Sequence, residues 1–327
     1  MKRNIAALML ILLGCVFTSI CVKADTNIEG IKLDEQNFPD EYVRAALYDF
    51  VDQDGDYILQ QNEIKEAEFI SISVPPSWRE DIKTDEGHPL INLKGIGVFK
   101  NLKSIVLISE NKDNESRGFL NFNEIYRLKK LKKIYIEGDA KTNSYKFGKF
   151  AKLEELSLSY IYNNKITIKN KRLAKLKMAN VKCNSINISR AGNVKKMRIS
   201  FVKTKALDFS HIKRLKEIEM IDVWAENLKF GKLRKLKKIS IWSNTGMNNR
   251  STRYIDVSEV KNLEQMQASD LSKLNTIKFG KQNKLKRLDI GFTNGKQNRC
   301  LKTINISKLK NLKYLHIDNY AKLEKIV

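Results

Sequence analysis

The chain is poor in the residues that metal and nucleophile chemistry most often require, with 3 His and 4 Cys among 327 residues. His88, His211 and His316 are far apart, and no nucleophile elbow, P-loop or His-Glu-x-x-His is present. An enzyme is therefore not the expected class. Proline (4) and glycine (15) are also scarce, and 42% apolar with 30% charged residues excludes wholesale disorder. Long apolar runs are confined to one, Ile5 to Val22.

That run follows a short basic start, Met1-Lys2-Arg3-Asn4, and ends in Val22-Lys23-Ala24, which predicts a secretory signal over residues 1–24, cleaved before Asp25. An uncleaved anchor is the alternative, since the run could just span a bilayer. Leu12-Leu13-Gly14-Cys15 also resembles a lipobox that would lipidate Cys15, although Val16, Phe17 and Ile20 continue apolar. Removing the leader leaves Cys183 and Cys300. Two lone cysteines make no disulfide framework.

Charge is abundant and segregated. The net +24 resolves into +3 in the leader, −10 in residues 25–80 and +31 in the remainder. An acidic head sits on a basic body.

The body repeats. The pattern L-x-x-[LIM]-x-[LIMA] occurs ten times, from Leu102-Ile105-Leu107 to Leu312-Leu315-Ile317, at steps of 29, 22, 20, 21, 21, 21, 27, 22 and 27. A second apolar pair precedes most anchors, as in Tyr145/Phe147, Ile186/Ile188, Leu207/Phe209 and Ile304/Ile306. Alternation within each pair turns every second side chain inward, as a strand does. One such unit cannot bury its apolar side alone, but stacked units share a core. Ser or Gly after the second pair marks the turn of each coil. Longer steps place polar insertions at Lys112–Phe119, Thr245–Arg253 and Thr293–Arg299. The predicted fold is a β-rich solenoid of about ten repeats of short parallel strands, over 91–327, with a small α-helical cap and linker over 25–90. Strands near 4.8 Å apart put Cys183 and Cys300, five repeats apart, at roughly 24 Å, beyond disulfide reach.

Ile306-Ser307-Lys308 through Leu312, Leu315 and Ile317 resembles the leucine-rich repeats of secreted or surface proteins of Gram-positive gut bacteria. Ile91-Asn92-Leu93-Lys94-Gly95-Ile96 with Phe99 resembles the entry to such an array, and Asn37-Phe38-Pro39-Asp40-Glu41 with Asp52-Gln53-Asp54-Gly55-Asp56 resembles its head. Pro75–Leu90 reads as an insertion. The chain departs from the family pattern in lacking a regular Asn after each strand. Asn244 fits, but Val181 and Val223 take that register, so apolar stacking is expected to replace an asparagine ladder.

The head carries one constellation with definite chemistry. Counting Asp52 as the first position, Asp52, Asp54, Asp56, the Ile58 carbonyl, Gln60 and Glu63 fall at the EF-hand spacing for hard oxygen ligands of Ca²⁺. Flanking helices are expected over Asp40–Phe50, where Pro39 suits a first turn, and Asn62–Glu68. Tyr57 stands where the sharp turn wants Gly, at a cost of about 1–2 kcal/mol. Weak calcium binding is expected, the alternative being a decayed loop kept as a helical cap.

The basic body points to a protein or an anionic polysaccharide at a cell surface, with nucleic acid set aside because the leader takes the chain out of the cytoplasm. The outward residue of each central strand reads Val106, Tyr135, Ser157, Lys177, Arg198, Glu219, Ser240, Gln267, Asp289 and His316. With neighbouring aromatics, this row makes Tyr135, Lys177, Arg198, Phe201, Trp242 and Phe292 the candidate partner-binding residues. The rival reading is a structural wall component held by charge alone.

Overall fold

The structure, a computed structural model, describes residues 30–73, 90–109, 118–140, 142–243, 251–292 and 297–327. The leader with Cys15, most of the 75–90 insertion, His88 and Asn244 lie outside them, as does much of each expected loop insertion. Among the described residues no helix is long and apolar enough to cross a membrane.

The head is a helix–loop–helix. α1 (Glu41–Phe50) begins where the Asp40 side chain accepts the Tyr42 and Val43 N–H groups at 3.0 and 3.1 Å, with Glu41 favourably placed in the first turn. Pro39 therefore precedes the cap instead of opening the helix. Val43, Ala46 and Leu47, spaced three and four apart, form the buried face. β1 (Gly30–Lys32) and β2 (Ile58–Gln60) pair antiparallel, with Ile31 opposite Leu59, and α2 (Gln61–Glu66) follows.

The body is a leucine-rich repeat solenoid. Its main sheet runs in chain order through eleven strands: β3 (Phe69–Ser73), β4 (Ser104–Ile108), β5 (Lys133–Glu137), β6 (Glu155–Ile168), β7 (Lys175–Ile188), β8 (Lys196–Asp208), β9 (Glu217–Ile221), β10 (Lys238–Trp242), β11 (Gln265–Ser269), β12 (Arg287–Gly291) and β13 (Tyr314–Ile317). All neighbours are parallel and in register, so Ile105, Ile134, Leu156 and Leu176 stack in one buried row. The sheet starts before the expected boundary at 91. β3 pairs with β4 through Ile70 and Ile72, which match Ile105 and Leu107. Its anchor is Ala67, outside the leucine template, but Ala67 is buried as the leucines are.

The second apolar pair also lies where the spacing places it. Tyr145, Ile166, Ile186, Leu207, Leu228, Ile255, Ile277 and Ile304 are buried. In three coils, however, the two extended edges form one strand, because β6, β7 and β8 turn the corner without losing their neighbours. Tyr160, Asn180 and Phe201 take φ of 54°, 52° and 53°, and pairing skips Tyr160 and Asn180 before resuming at Ile161 opposite Val181. Asp222, Asp270 and Asn319 repeat the positive φ at the same step in later coils. One residue on, where an asparagine ladder would run, Ile161, Val181, Val202, Val223 and Leu271 are buried, so apolar stacking does replace it there. Asn298 is an exception: its Nδ2 donates to the Leu271 and Leu274 carbonyls at 2.7 and 2.8 Å, and its Oδ1 accepts the Cys300 and Leu301 N–H groups. An insertion before Asn298 shifts it out of the regular spacing, which hid it from the repeat template.

The far turns need small residues because successive coils touch there. A Cβ on Gly280 would lie 2.1 Å from the Ser258 carbonyl oxygen, and Gly231 also sits at φ 53°. Asp208 and Asp256 brace this edge by accepting the backbone N–H two residues on, from Ser210 at 2.8 Å and Ser258 at 2.9 Å, and Asn305 does the same for Ser307.

Candidate functional site: the head loop and the open face of the sheet

In the head, α1 and α2 hold the loop at both ends. Asp52 accepts the Gly55 N–H at 2.8 Å and the Tyr57 N–H at 3.0 Å, one through each oxygen. Glu63 reaches back across the loop to accept Gln53 N–H at 2.6 Å and Gln60 N–H at 2.9 Å. Asp52 and Glu63 are buried, at 8% and 3% exposure. With Asp54 they present carboxylate oxygens within 4.8 Å of one another. Such a hard oxygen set suits a divalent cation. Asp54 is exposed, yet slight desolvation beside the loop, and then the neighbouring Asp56, Glu63 and Asp52 carboxyls, raise its carboxyl above the ordinary range despite a backbone bond that opposes them.

Asp56 and Gln60 behave differently from expectation. Asp56 accepts the Ile58 N–H at 2.7 Å and the Gln60 side-chain amide at 3.0 Å, so these two bond each other outside the three-carboxylate group. Ile58 lies in β2, opposite Lys32. Tyr57 does take the left-handed turn, at φ 65°. Its ring stacks on Tyr48 of α1 at 4.8 Å between centroids, a contact that offsets part of the backbone cost.

On the open face of the sheet, the ten outward residues read from the strand spacing stand in one continuous row, each opposite the next from Val106 to His316. Across β7 and β8, Lys175, Lys177, Lys196 and Arg198 meet as a cationic square above a shallow cleft of about 380 Å³. Acidic residues flank it. Glu155 pairs with Lys175 at 2.9 Å, Glu217 with Lys196 at 2.9 Å, and Glu219 with Arg198 at 3.5 Å. Lys177 makes no ion pair among the described residues. The three cations stay 67–73% exposed and their glutamate partners 35–44%, so these bridges contribute little to stability and leave the cations accessible.

The remaining candidates divide. Tyr135 is on the same face, its hydroxyl donating to Glu137 at 3.0 Å, and Trp242 is half-exposed opposite Ile221. Phe201 sits at a corner, half-buried, with its ring 6.4 Å from Trp224. Phe292 is not a surface residue. It is 5% exposed and packs its ring against Tyr320 at 5.9 Å, because the next coil closes over that corner. Lys175 and Lys196, at the neighbouring outward positions, join Lys177 and Arg198 at the cleft. The strand alternation that exposed Lys177 and Arg198 also exposes the residues two positions earlier.

Cys183 and Cys300 are free thiols. Burial pushes the Cys183 thiol above its ordinary range.

No family model matches the chain, and no curated protein matches it. Among solved structures, it is similar to an internalin, InlF, of Listeria monocytogenes, at 13% identity over 91% of this chain and 97% of that one, with a TM-score of 0.37. The functional domain of InlJ, from the same organism and described as including a cysteine ladder, gives 13% identity over 90% and 72%, at 0.38. A leucine-rich repeat protein of Leptospira interrogans gives 17% identity over 81% and 86%, at 0.34.

Proposed function

We propose that the chain is a non-catalytic binding protein, secreted or displayed at a cell surface, whose sheet face engages an acidic protein or an anionic glycan. The observation that carries this reading is the cationic square of Lys175, Lys177, Lys196 and Arg198, aligned by strand register on a solvent-facing sheet. A rigid array of point charges on a sheet holds them at fixed spacing, which favours a partner of matching charge pattern over a mobile counterion cloud. Export is read from the basic start, apolar run and small-residue exit of residues 1–24. The head is proposed to bind Ca²⁺ weakly through Asp52, Asp54 and Glu63. A bound ion would offset two of the three carboxylate charges and tie α1 to α2.

The test is binding of residues 25–327 to immobilised heparin and to lipoteichoic acid over a salt series. Lys177→Glu with Arg198→Glu is expected to weaken saturable binding about tenfold or more. Lys171→Glu with Lys281→Glu makes the same charge change at the turns and is expected to cost much less. Equal losses from both pairs would favour retention by overall charge, the structural reading.

A further inference from the structure

Around the corner from the sheet face, coils of unequal length bring chemistry of a different kind together. Ser144 pairs with Lys165 at an offset of 21 residues, and Lys165 with Ser185 at an offset of 20. That register sets Asn143, Asn164 and Asn184 side by side on three successive coils, all exposed. The Asn184 amide donates to the Asn164 carbonyl oxygen at 3.1 Å, and neither side chain has another partner among the described residues. The row therefore keeps both donors and acceptors free toward solvent.

Beside the row lies a cleft of about 680 Å³ with a fixed polar floor. Asp139 is half-buried there. One of its oxygens accepts the Ala140 N–H at 2.9 Å, the Tyr145 hydroxyl at 3.2 Å and the Asn163 amide at 3.3 Å. Asn163 also donates to the Thr142 carbonyl at 2.6 Å, so the floor is held in place before any ligand arrives. Burial keeps the Asp139 carboxyl above the usual carboxylate range. Tyr162, 37% exposed, presents a ring at the wall, and Lys182 stands at the rim.

These features discriminate among ligand classes. A carboxylate in the floor opposes phosphate, sulfate or carboxylate groups, and among the described residues Lys182 is the one cation that lines the cleft. The lining offers little apolar surface beyond Tyr162 and Ala140, which disfavours an apolar peptide anchor. Carboxamides that donate and accept, one carboxylate acceptor and one exposed ring instead match the hydroxyls and C–H faces of a sugar. We infer that this flank, through Asp139, Asn143, Tyr162, Asn163, Asn164 and Asn184, is a binding site for an uncharged oligosaccharide, separate from the cationic sheet face.

The experiment uses residues 25–327 and isothermal titration with linear hexaoses of a β-glucan, an α-glucan and a β-mannan, at low and at high salt. Binding of at least one hexaose is expected, unchanged by salt because no ion pair forms. Tyr162→Ala and the double change Asn164→Ala/Asn184→Ala, all at exposed positions, are expected to weaken it about tenfold with an unaltered unfolding midpoint. Lys177→Glu/Arg198→Glu is expected to leave it intact, which separates this site from the sheet-face reading. The inference is overturned if none of the three hexaoses binds. It is also overturned if binding vanishes with salt or follows the sheet-face variant rather than the flank variants.

Discussion

The Asp40 carboxylate accepts the backbone N–H of Asn92 at 2.7 Å, joining the acidic head to the first coil across 52 positions of chain. Its other oxygen caps α1. One side chain thus starts the helix and ties it to the solenoid. Asp40→Ala is expected to destabilise the protein by about 1–2 kcal/mol, with Asp40→Asn recovering part of the loss because Asn also caps well. Denaturant unfolding of both variants checks this, and an unchanged midpoint for Asp40→Ala would break the link.

Calcium titration of residues 25–327 by calorimetry is expected to give a dissociation constant on the order of 10⁻⁴ to 10⁻³ M. Asp52→Ala should abolish the heat. Tyr57→Gly removes a left-handed tyrosine whose cost is roughly 1–2 kcal/mol, and because Tyr57 already takes that conformation in the fold the gain is expected in the unfolding free energy, less the lost stacking on Tyr48. No heat from the parent chain at millimolar Ca²⁺ would refute the metal reading.

The turn edge should respond to acid. Burial raises Asp208 and Asp256, but the side-chain and backbone bonds from Ser210 and Ser258, with Lys229 and Lys278 adding to them, hold both below the ordinary aspartate range. A carboxyl lowered in the folded state stabilises the fold above its unfolded value, and that contribution is lost as pH falls through the folded one. Thermal stability is therefore expected to decline below about pH 4, and Asp208→Asn/Asp256→Asn should flatten the decline. Asn305 already makes the same turn without a charge, so the exchange preserves the bond geometry. An equally steep profile for the double variant would show that other groups carry the effect.

Asn298 is fully buried and satisfies two carbonyls of the preceding coil. Asn298→Ala leaves those acceptors and two N–H donors without their partner. A loss of about 2–3 kcal/mol is expected, read from urea unfolding. Val181→Ala, at the apolar version of the same corner, should cost less than a large core truncation and leave no polar group exposed to apolar surroundings.

Ten of the eleven strands of the main sheet, and the inward and outward faces, were legible in the sequence. Paired apolar residues two apart can bury one edge of a coil only by alternating, and this periodicity is local. The head loop was legible for the same reason, since its three clustered carboxylates fall within one short segment. The ten-residue outward row followed directly from the alternation.

Other features arise where coils meet, and there only the tertiary structure decides. Ala67 is buried in the anchor position of β3 although it is not a leucine, at the end of α2, where its N–H donates to the Glu63 carbonyl. Phe292 is buried because Tyr320, from the next coil, covers it. The αL corners at Tyr160, Asn180 and Phe201 let β6 to β8 run through a bend that the spacing splits into two strands. The asparagine row of Asn143, Asn164 and Asn184 exists because neighbouring coils are offset by 21 and then 20 residues, a register set by hydrogen bonds between strands. Side-chain period is a property of one strand. Which residues become neighbours across coils depends on how unequal coils stack.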